Sequence, residues 1–249
     1  MMTEFGMDGL YLDEIAYDRV TLLRARKMLG AHGLVDHHSD AGAFCVSPAL
    51  NYMELFPFID RLWYGEGFNY DAATFDYWLV EMSGLAFGLT ADMLRYDGMT
   101  AYPYRGMLVA SSNRWQSALD PGESSPFDPT GLWALWADFG IAEATMYGWW
   151  MDVEEGVGSA PVWTSHPQVK ATAYVKVGTA TLVALASFAS AAVDVTLGYD
   201  WTVLGLPAAQ SQLVAPVIQP FQPTGGTYGT SASFTVPAGQ GWIFRIEAK

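Results

Sequence analysis

Short apolar runs alternate with longer amphipathic stretches along roughly the first 165 residues of the chain. Between the first two runs, Asp18–Leu29 carries apolar residues at helical spacing, and Gly30 follows as a helix end. Strand-like runs separated by helical segments are typical of βα units, which build a parallel sheet. The five runs that we predict as strands are Gly9–Asp13, Gly33–His37, Arg61–Glu66, Tyr104–Ala110 and Ala144–Trp150.

This alternation predicts a partial (β/α)8 barrel of the TIM type, with about five βα units. A complete barrel takes about 250 residues, whereas the five units here take up about 150, so three strands are missing. The chain also enters a strand-like pattern close to its first residue. We therefore expect the sequence to be a portion of a longer protein.

From Val169 onward the pattern changes to β-branched residues, Ala and Gly with few charges. Turn-forming segments such as Pro237–Gly239 separate the apolar stretches, as in antiparallel hairpins. We predict an antiparallel β-sandwich here, which makes the fold class α/β plus all-β. The proline-containing stretch Pro161–Gln168 favours a boundary at this point, giving a barrel domain of residues 1–165 and a sandwich of residues 166–249.

The charge of the chain narrows the range of partners. Its 249 residues have a formal net charge of −14 and include only 12 Lys and Arg. Because such a chain repels polyanions, we predict no nucleic-acid partner.

The apolar stretches of the chain are interrupted by Asp, Glu, Gly and Pro, so we predict no membrane partner. Its first residues lack a secretory signal pattern. The single Cys45 excludes an internal disulfide, and neither a nucleophile elbow nor a phosphate-binding loop occurs.

An acidic pair, Asp13 and Glu14, follows the first predicted strand directly. Barrel enzymes place catalytic groups where strands end and the following loops begin. Since neighbouring strand residues point to opposite faces, Asp13 shares a face with Tyr11, whereas Glu14 is left to contact substrate from a neighbouring loop or to cap the next helix. We predict Asp13 as the catalytic member. The alternative is that both acids only cap a helix N-terminus.

A second candidate acid, Glu66, lies in the aromatic segment WYGEGF, residues 63–68. Trp63 and Tyr64 supply flat apolar surfaces on which sugar rings stack, and the glycines beside Glu66 let a backbone approach closely. If Asp13 and Glu66 converge, they provide the carboxylate pair that glycoside hydrolysis uses. A glycine-rich loop with a solvated acid is the alternative.

Two adjacent histidines lie between acids in the segment Asp36–Asp40. We predict no metal here, because the ligand spacing that is typical of zinc sites is missing. We predict instead that Asp36 and His37 bind substrate hydroxyls, with plain loop structure as the alternative. Arg114 and Trp115 are further candidates for lining a sugar subsite.

The chain resembles a group of bacterial and marine glycoside-hydrolase-like proteins in three segments, GMDGLYLDEIAYDR, NYMELFPFIDRLWYGEGFNYD and DYWLVEMSGLAFGLTADML. Its C-terminal tract is similar to the β-sandwich that ends many glycosidase barrels. In the barrel glycosidases that include the α-galactosidases, two catalytic acids lie at the ends of strands four and six. If the five runs are strands four to eight, the resemblance implies these positions for Asp13 and Glu66. It also suggests that the full-length parent is exported.

These features predict a glycoside hydrolase, or the catalytic portion of one, that cleaves an oligosaccharide or polysaccharide. We expect Asp13 to act as nucleophile or charge stabiliser and Glu66 as general acid/base, without a cofactor. One alternative is a non-catalytic carbohydrate-binding protein whose many tryptophans and tyrosines form stacking surfaces. Another is an inactive fragment, which we would expect to form a homo-oligomer through exposed barrel edges.

Overall fold

The chain divides into two compact units, residues 1–101 with 112–120, and residues 102–111 with 121–249. The computed structural model describes residues 4, 6–13, 18–38, 49–64, 73–94, 108, 114–116, 128–151 and 159–249.

A five-stranded parallel sheet forms the centre of the first unit. Its strands are hydrogen-bonded in chain order, so each strand lies beside the next one along the sequence. Among the described strands, the first and the last each pair on one side only. The strands are β1 (Gly9–Leu12), β2 (Leu34–His38), β3 (Arg61–Tyr64), β4 (Thr90–Leu94) and β5 (Arg114–Gln116).

Helical segments connect these strands. The helix α1 (Arg19–Leu29) links β1 to β2. It begins at Asp18, whose carboxylate accepts hydrogen bonds from the backbone N–H groups of Val20 and Thr21 at 3.0 and 3.2 Å. The hydrogen bond from the Thr21 hydroxyl, together with that from the Val20 N–H, holds the pKa of Asp18 below its usual value. The later segments are the 3-10 helix Ala49–Phe58, the short α2 (Phe75–Tyr77), the π-helical turn Trp78–Met82 and the 3-10 turn Leu85–Phe87.

The first three predicted strands are confirmed in position, but the other two are not. The fourth strand of the sheet is β4, where Thr90 and Asp92 interrupt the apolar residues and left no continuous run to detect. The predicted run Tyr104–Ala110 lies outside the described residues except for Leu108. The run Ala144–Trp150 does contain a strand, β6 (Thr145–Tyr147), but it pairs antiparallel with a strand of the second unit. It is therefore not a strand of the parallel sheet.

One face of the parallel sheet is apolar and packs against the helical segments. Val35 of β2 and Leu62 of β3 are almost fully buried there and pack with Leu22 of α1. Leu55, Phe56 and Ile59, from the 3-10 helix and the residues after it, complete this core. Because strand residues alternate between faces, the neighbours of Val35 and Leu62 in β2 and β3 lie on the opposite face.

Arg26 of α1 forms hydrogen bonds with residues that precede β2 and β3. Its guanidinium donates hydrogen bonds to the backbone carbonyls of Gly33 at 2.7 Å and Phe58 at 2.9 Å, and to the carboxylate of Asp60 at 2.7 Å. Asp60 in turn accepts a hydrogen bond from the backbone N–H of Val35 at 2.7 Å. One side chain therefore fixes the amino ends of β2 and β3 relative to the helix.

We expect Arg26→Met to lower the free energy of unfolding by about 2 kcal/mol, because it removes charge-assisted hydrogen bonds while keeping the apolar stem. Urea unfolding followed by circular dichroism would measure the change. Lys27→Met in the same helix is the matched control, since Lys27 is exposed, and it should change stability by less than about 0.5 kcal/mol. Equal effects of the two substitutions would contradict the role assigned to Arg26.

The second unit is built from two antiparallel sheets. The strands after β6 are β7 (Val162–Thr164), β8 (Val169–Lys176), β9 (Ala180–Ser187), β10 (Val193–Tyr199), β11 (Ser211–Ala215), β12 (Gly226–Gly229), β13 (Ser233–Val236) and β14 (Gly241–Ala248). A six-stranded sheet has the order β12-β11-β14-β9-β8-β6, and a three-stranded sheet has the order β13-β10-β7. Side chains from both sheets pack into one core, including Val183 and Phe244 from the larger sheet and Val195 and Phe234 from the smaller. The predicted antiparallel strands of the C-terminal region are thus confirmed.

The second unit also contains segments that precede residue 166. These include α3 (Thr130–Phe139), the 3-10 turn Ile141–Glu143 and β6. The later α4 (Trp201–Leu204) and the 3-10 turn Ala208–Gln210 join strands of the two sheets. A division into independently folding domains of residues 1–165 and 166–249 stays a prediction. In the part of the chain that the structure describes, no helix is long and apolar enough to span a membrane.

Candidate functional site

Polar side chains line up across the parallel sheet on the face opposite the apolar core. The register pairs Tyr11 of β1 with Asp36 of β2, and Asp36 with Arg61 of β3. One step further along the strands, His38 of β2 pairs with Trp63 of β3. Since partners in parallel strands share a face, these residues form two adjacent rows on one face of the sheet, and the second row is the one nearer the carboxyl ends of the strands.

Asp13 lies at the end of the second row and is held by two side chains. Its Oδ1 atom is 2.7 Å from Nδ1 of His38 and 3.2 Å from the hydroxyl of Tyr11, and that hydroxyl is 3.0 Å from the same His38 nitrogen. We call these three residues the Asp13 cluster. Among the described residues, the other carboxylate oxygen, Oδ2, makes no hydrogen bond.

In the Asp13 cluster the histidine is buried and the acid is exposed to solvent. The side chain of His38 is 8% exposed, whereas that of Asp13 is 59% exposed. An ionised carboxylate can only accept hydrogen bonds, so Nδ1 of His38 carries the hydrogen in its contact with an ionised Asp13. The Tyr11 hydroxyl donates to the same oxygen. One oxygen of Asp13 is therefore held by two hydrogen bonds, and the other makes none with the residues that the structure describes.

A second group of side chains supports this cluster. The guanidinium of Arg61 binds both carboxylate oxygens of Asp36, with Nε to Oδ1 at 2.8 Å and Nη2 to Oδ2. The same guanidinium lies 5.1 Å above the ring of Trp63. Trp63 meets the ring of Tyr11 edge-on, with 5.5 Å between the ring centroids. The two groups thus form one connected arrangement across three strands.

Asp36 and His37, which we predicted to bind substrate hydroxyls, have different positions. Both carboxylate oxygens of Asp36 are engaged by Arg61, so this residue mainly orients its neighbour on β3. His37 is 0% exposed, and its partners across the sheet are Leu12 and Leu62, two residues of the apolar core. His37 therefore lies on the core side of the sheet, and its role in binding substrate hydroxyls stays a prediction.

The remaining predicted site residues keep the status of predictions. Glu14 and Glu66 lie outside the described residues. Tyr64 ends β3, next to Trp63. Arg114 begins β5 and pairs with Asp92 of β4, which pairs with Trp63, while Trp115 is one residue further along. Their roles as substrate-binding residues are untested.

The sequence prediction missed three residues of the site, Tyr11, His38 and Arg61, as interacting side chains. Alternation from Asp13 had placed Tyr11 on the same face, and the contact confirms this placement. His38 was the second member of a histidine pair, and only the strand register decides which of the two faces Asp13.

Within the described part of the chain, no group of three or more His, Cys, Asp and Glu side chains is arranged so that it could hold a metal ion.

A parallel sheet with polar side chains at its strand ends is typical of barrel enzymes, and the comparison with family models identifies the class. Family models match almost the whole chain. The model "Glycoside hydrolase 123, TIM-barrel domain" covers residues 1–116, and "Glycoside hydrolase 123, C-terminal domain" covers residues 128–247. The chain therefore belongs to glycoside hydrolase family 123. No curated protein matches it in sequence.

Solved structures resemble the chain in fold. A GH27 β-L-arabinopyranosidase variant from Geobacillus stearothermophilus, in complex with arabinose, is 11% identical with a TM-score of 0.59 over 100% of this chain and 60% of its own. The wild-type enzyme from the same organism is 10% identical with a TM-score of 0.55, over 99% of this chain and 59% of its own. At this identity the likeness shows the fold alone. The chain spans about three fifths of the length of these structures.

The burial of His37 makes stability depend on pH. Burial, and secondarily the charge of His38, lowers the pKa of His37 from 6.5 to about 4. Between these two pKa values the unfolded chain binds more protons at this residue than the folded chain does. The free energy of unfolding is therefore highest above pH 6.5, and it falls by up to about 3 kcal/mol as the pH is lowered toward 4. We expect His37→Gln to lack this loss.

Urea unfolding at pH 7 and at pH 4.5 would test this expectation. The difference in unfolding free energy between the two pH values should be smaller in His37→Gln than in the unsubstituted protein. His32→Gln is the matched control, because His32 is exposed, and it should keep the full pH dependence. Parallel loss of stability in all three proteins would contradict a neutral, buried His37.

Proposed function

We propose that the chain carries part of the active site of a glycosidase, with Asp13 as the nucleophile or charge-stabilising carboxylate. The observation that carries this proposal is the asymmetry of Asp13: His38 and Tyr11 hold Oδ1, whereas Oδ2 makes no hydrogen bond within the described part of the chain. Membership of a glycoside hydrolase family supports the assignment to carbohydrate. The site also lies at the carboxyl ends of parallel strands, where barrel enzymes carry their catalytic groups.

A fixed carboxylate suits the chemistry of glycosidic bond cleavage. The transition state resembles an oxocarbenium ion, so a negative charge placed beside the anomeric carbon stabilises it. The hydrogen bonds from Tyr11 and His38 set the orientation of Asp13 before substrate binds, which lowers the cost of positioning the charge during the reaction. The buried ring of His38 cannot move far, so Asp13 keeps this orientation while its open oxygen faces the substrate.

We propose Glu66 as the general acid/base. It follows the end of β3 by two residues, and β3 carries Trp63 and Arg61 of the supporting group. Glu14, the residue after Asp13 in the sequence, is proposed to contact the substrate. If the carboxyl groups of Asp13 and Glu66 are about 5 Å apart, retention is expected, whereas about 6.5–9.5 Å would indicate inversion.

The direct test is hydrolysis of a panel of aryl glycosides by the full-length parent protein. Asp13→Asn and Glu66→Gln should each lower kcat/KM by about 10²–10⁴-fold, because each removes a group that acts on the reacting bond. Asp8→Asn is the matched control, since Asp8 is an exposed acid just before β1, and it should leave turnover unchanged. Undiminished turnover in Asp13→Asn would overturn the proposal. Sugar binding by the unsubstituted protein without any hydrolysis would favour a non-catalytic carbohydrate-binding protein.

His38 and Tyr11 act on the reaction through Asp13 as positioning residues. We expect His38→Leu to lower kcat by roughly 10- to 100-fold with little change in KM, because a loosened Asp13 affects the transition state more than substrate binding. His38→Asn retains an N–H donor near the position of Nδ1 and should restore part of kcat. Tyr11→Phe removes the second donor and should have a smaller effect. Equal kcat in His38→Leu and His38→Asn would show that the hydrogen bond does not matter.

A further inference from the structure

A small cavity lies beside β7 in the second unit. None of the residues that line it belongs to the Asp13 cluster. Its volume is about 130 Å³, and its lining includes Trp149, Trp163, His166 and Lys170. Trp163 is 50% exposed and is the sole tryptophan among the large apolar side chains that the described part of the chain exposes. Tryptophan is enriched at binding interfaces because its indole offers a broad apolar surface together with a polar N–H.

The backbone of β10 holds the indole of Trp163 in place. Gly198 is the partner of Trp163 in the antiparallel pairing of β10 with β7. A Cβ atom at Gly198 would clash with the indole atoms Cε2 and Nε1, so the ring lies directly against the strand at this glycine. A ring held in this way loses little side-chain entropy when a ligand stacks on its open side.

Polar groups border the same cavity. The ammonium of Lys170 lies 5.0 Å above the ring of Trp149. His166 accepts a hydrogen bond from the backbone N–H of Gln168 at its Nδ1, 3.2 Å away, so a neutral ring carries its hydrogen on Nε2 and can donate it. The Thr164 hydroxyl is 2.9 Å from the His166 carbonyl, which fixes the turn that presents this ring. The cavity thus combines a flat apolar surface with hydrogen-bond donors.

We propose that this cavity, the Trp163 cavity, binds one pyranose ring of a glycan, at a site separate from the Asp13 cluster. A pyranose has an apolar face of C–H groups that stacks on an indole and a rim of hydroxyl oxygens that accept hydrogen bonds. The stacking face would lie on Trp163, and the hydroxyls would receive hydrogen bonds from Lys170 and His166. The choice of a sugar rests on the carbohydrate assignment of the proposed function, but the site does not depend on hydrolysis at Asp13.

The size of the cavity sets the extent of the ligand. Pockets that enclose drug-sized molecules measure about 300–1,000 Å³, so a cavity of about 130 Å³ holds part of one ring rather than a whole oligosaccharide. Such a site would bind a single sugar weakly, with a dissociation constant on the order of 1–10 mM.

Two-dimensional NMR of the full chain with ¹⁵N-labelled tryptophan resolves the two sites. The signal of the Trp163 indole N–H is assigned by its loss in Trp163→Phe, and that of Trp63 by its loss in Trp63→Phe. Methyl β-D-galactopyranoside and methyl β-D-glucopyranoside are the probes, titrated into the Asp13→Asn protein so that no hydrolysis occurs. We expect the Trp163 signal to shift and saturate with at least one probe.

Substitutions around the cavity test the geometry. Lys170→Met should weaken the binding at least fivefold by removing a donor. Gly198→Ala should weaken it as strongly, although every lining side chain is kept, because the added methyl group displaces the indole. Val217→Ala is the matched control, since Val217 is an exposed apolar residue of the same unit outside the cavity, and it should leave the titration unchanged. Thermal unfolding of each variant shows that the fold is retained.

The outcomes separate this proposal from the proposed function. A Trp163 signal that does not shift, or that shifts without saturation, would overturn the sugar site in the second unit. The same holds if Lys170→Met and Gly198→Ala both bind as well as the unsubstituted protein. If Asp13→Asn abolishes turnover and the Trp163 signal still saturates with sugar, both proposals are supported. If Asp13→Asn leaves turnover intact while Trp163 still binds, only the catalytic proposal fails.

Discussion

The candidate site depends on the register of the parallel pairs β1–β2 and β2–β3. Side chains alternate between the two faces along a strand, and residues that are paired in neighbouring parallel strands point to the same face. Val35 and Leu62 therefore reach the apolar core, while Asp36, His38 and Arg61 reach the other side. A slip of one residue in β2 would exchange these sets, exposing Val35 and burying the acid of Asp36 in the core. The same strand register thus determines both the packing of the core and the geometry of the site.

That constraint has an electrostatic consequence. A sheet face that carries charged side chains is stable only if they are paired or reach water. Asp36 and Arg61 satisfy each other, and the Arg61 guanidinium also covers the Trp63 ring. Asp13, beyond the end of β1, makes its contacts through one oxygen and stays accessible to solvent. The acid proposed to act on substrate is therefore the one whose charge the neighbouring side chains do not fully satisfy.

Prediction from the sequence succeeded where the pattern is strictly local and failed where it depends on pairing. The segments of β1, β2 and β3 and the antiparallel strands after Val169 were found because their apolar residues are continuous or alternate regularly. The strand β4 was missed because polar residues break its short apolar pattern. We named His37 and not His38 as a substrate-binding residue, yet His38 is the histidine that contacts Asp13. Two adjacent identical residues do not reveal which of them faces the acid until β2 is aligned with β1 and β3.

Stability and the proposed chemistry lie at opposite ends of the same strands. Arg26 binds the residues just before β2 and β3, whereas Asp13 and His38 lie at or just beyond the carboxyl ends of β1 and β2. In barrel enzymes the loops at the carboxyl ends vary with function while the other end maintains the fold. The Arg26 network holds β2 and β3 in register without occupying the end where a sugar would bind. His38 can therefore be placed accurately against Oδ1 of Asp13, while Oδ2 makes no hydrogen bond with any described residue.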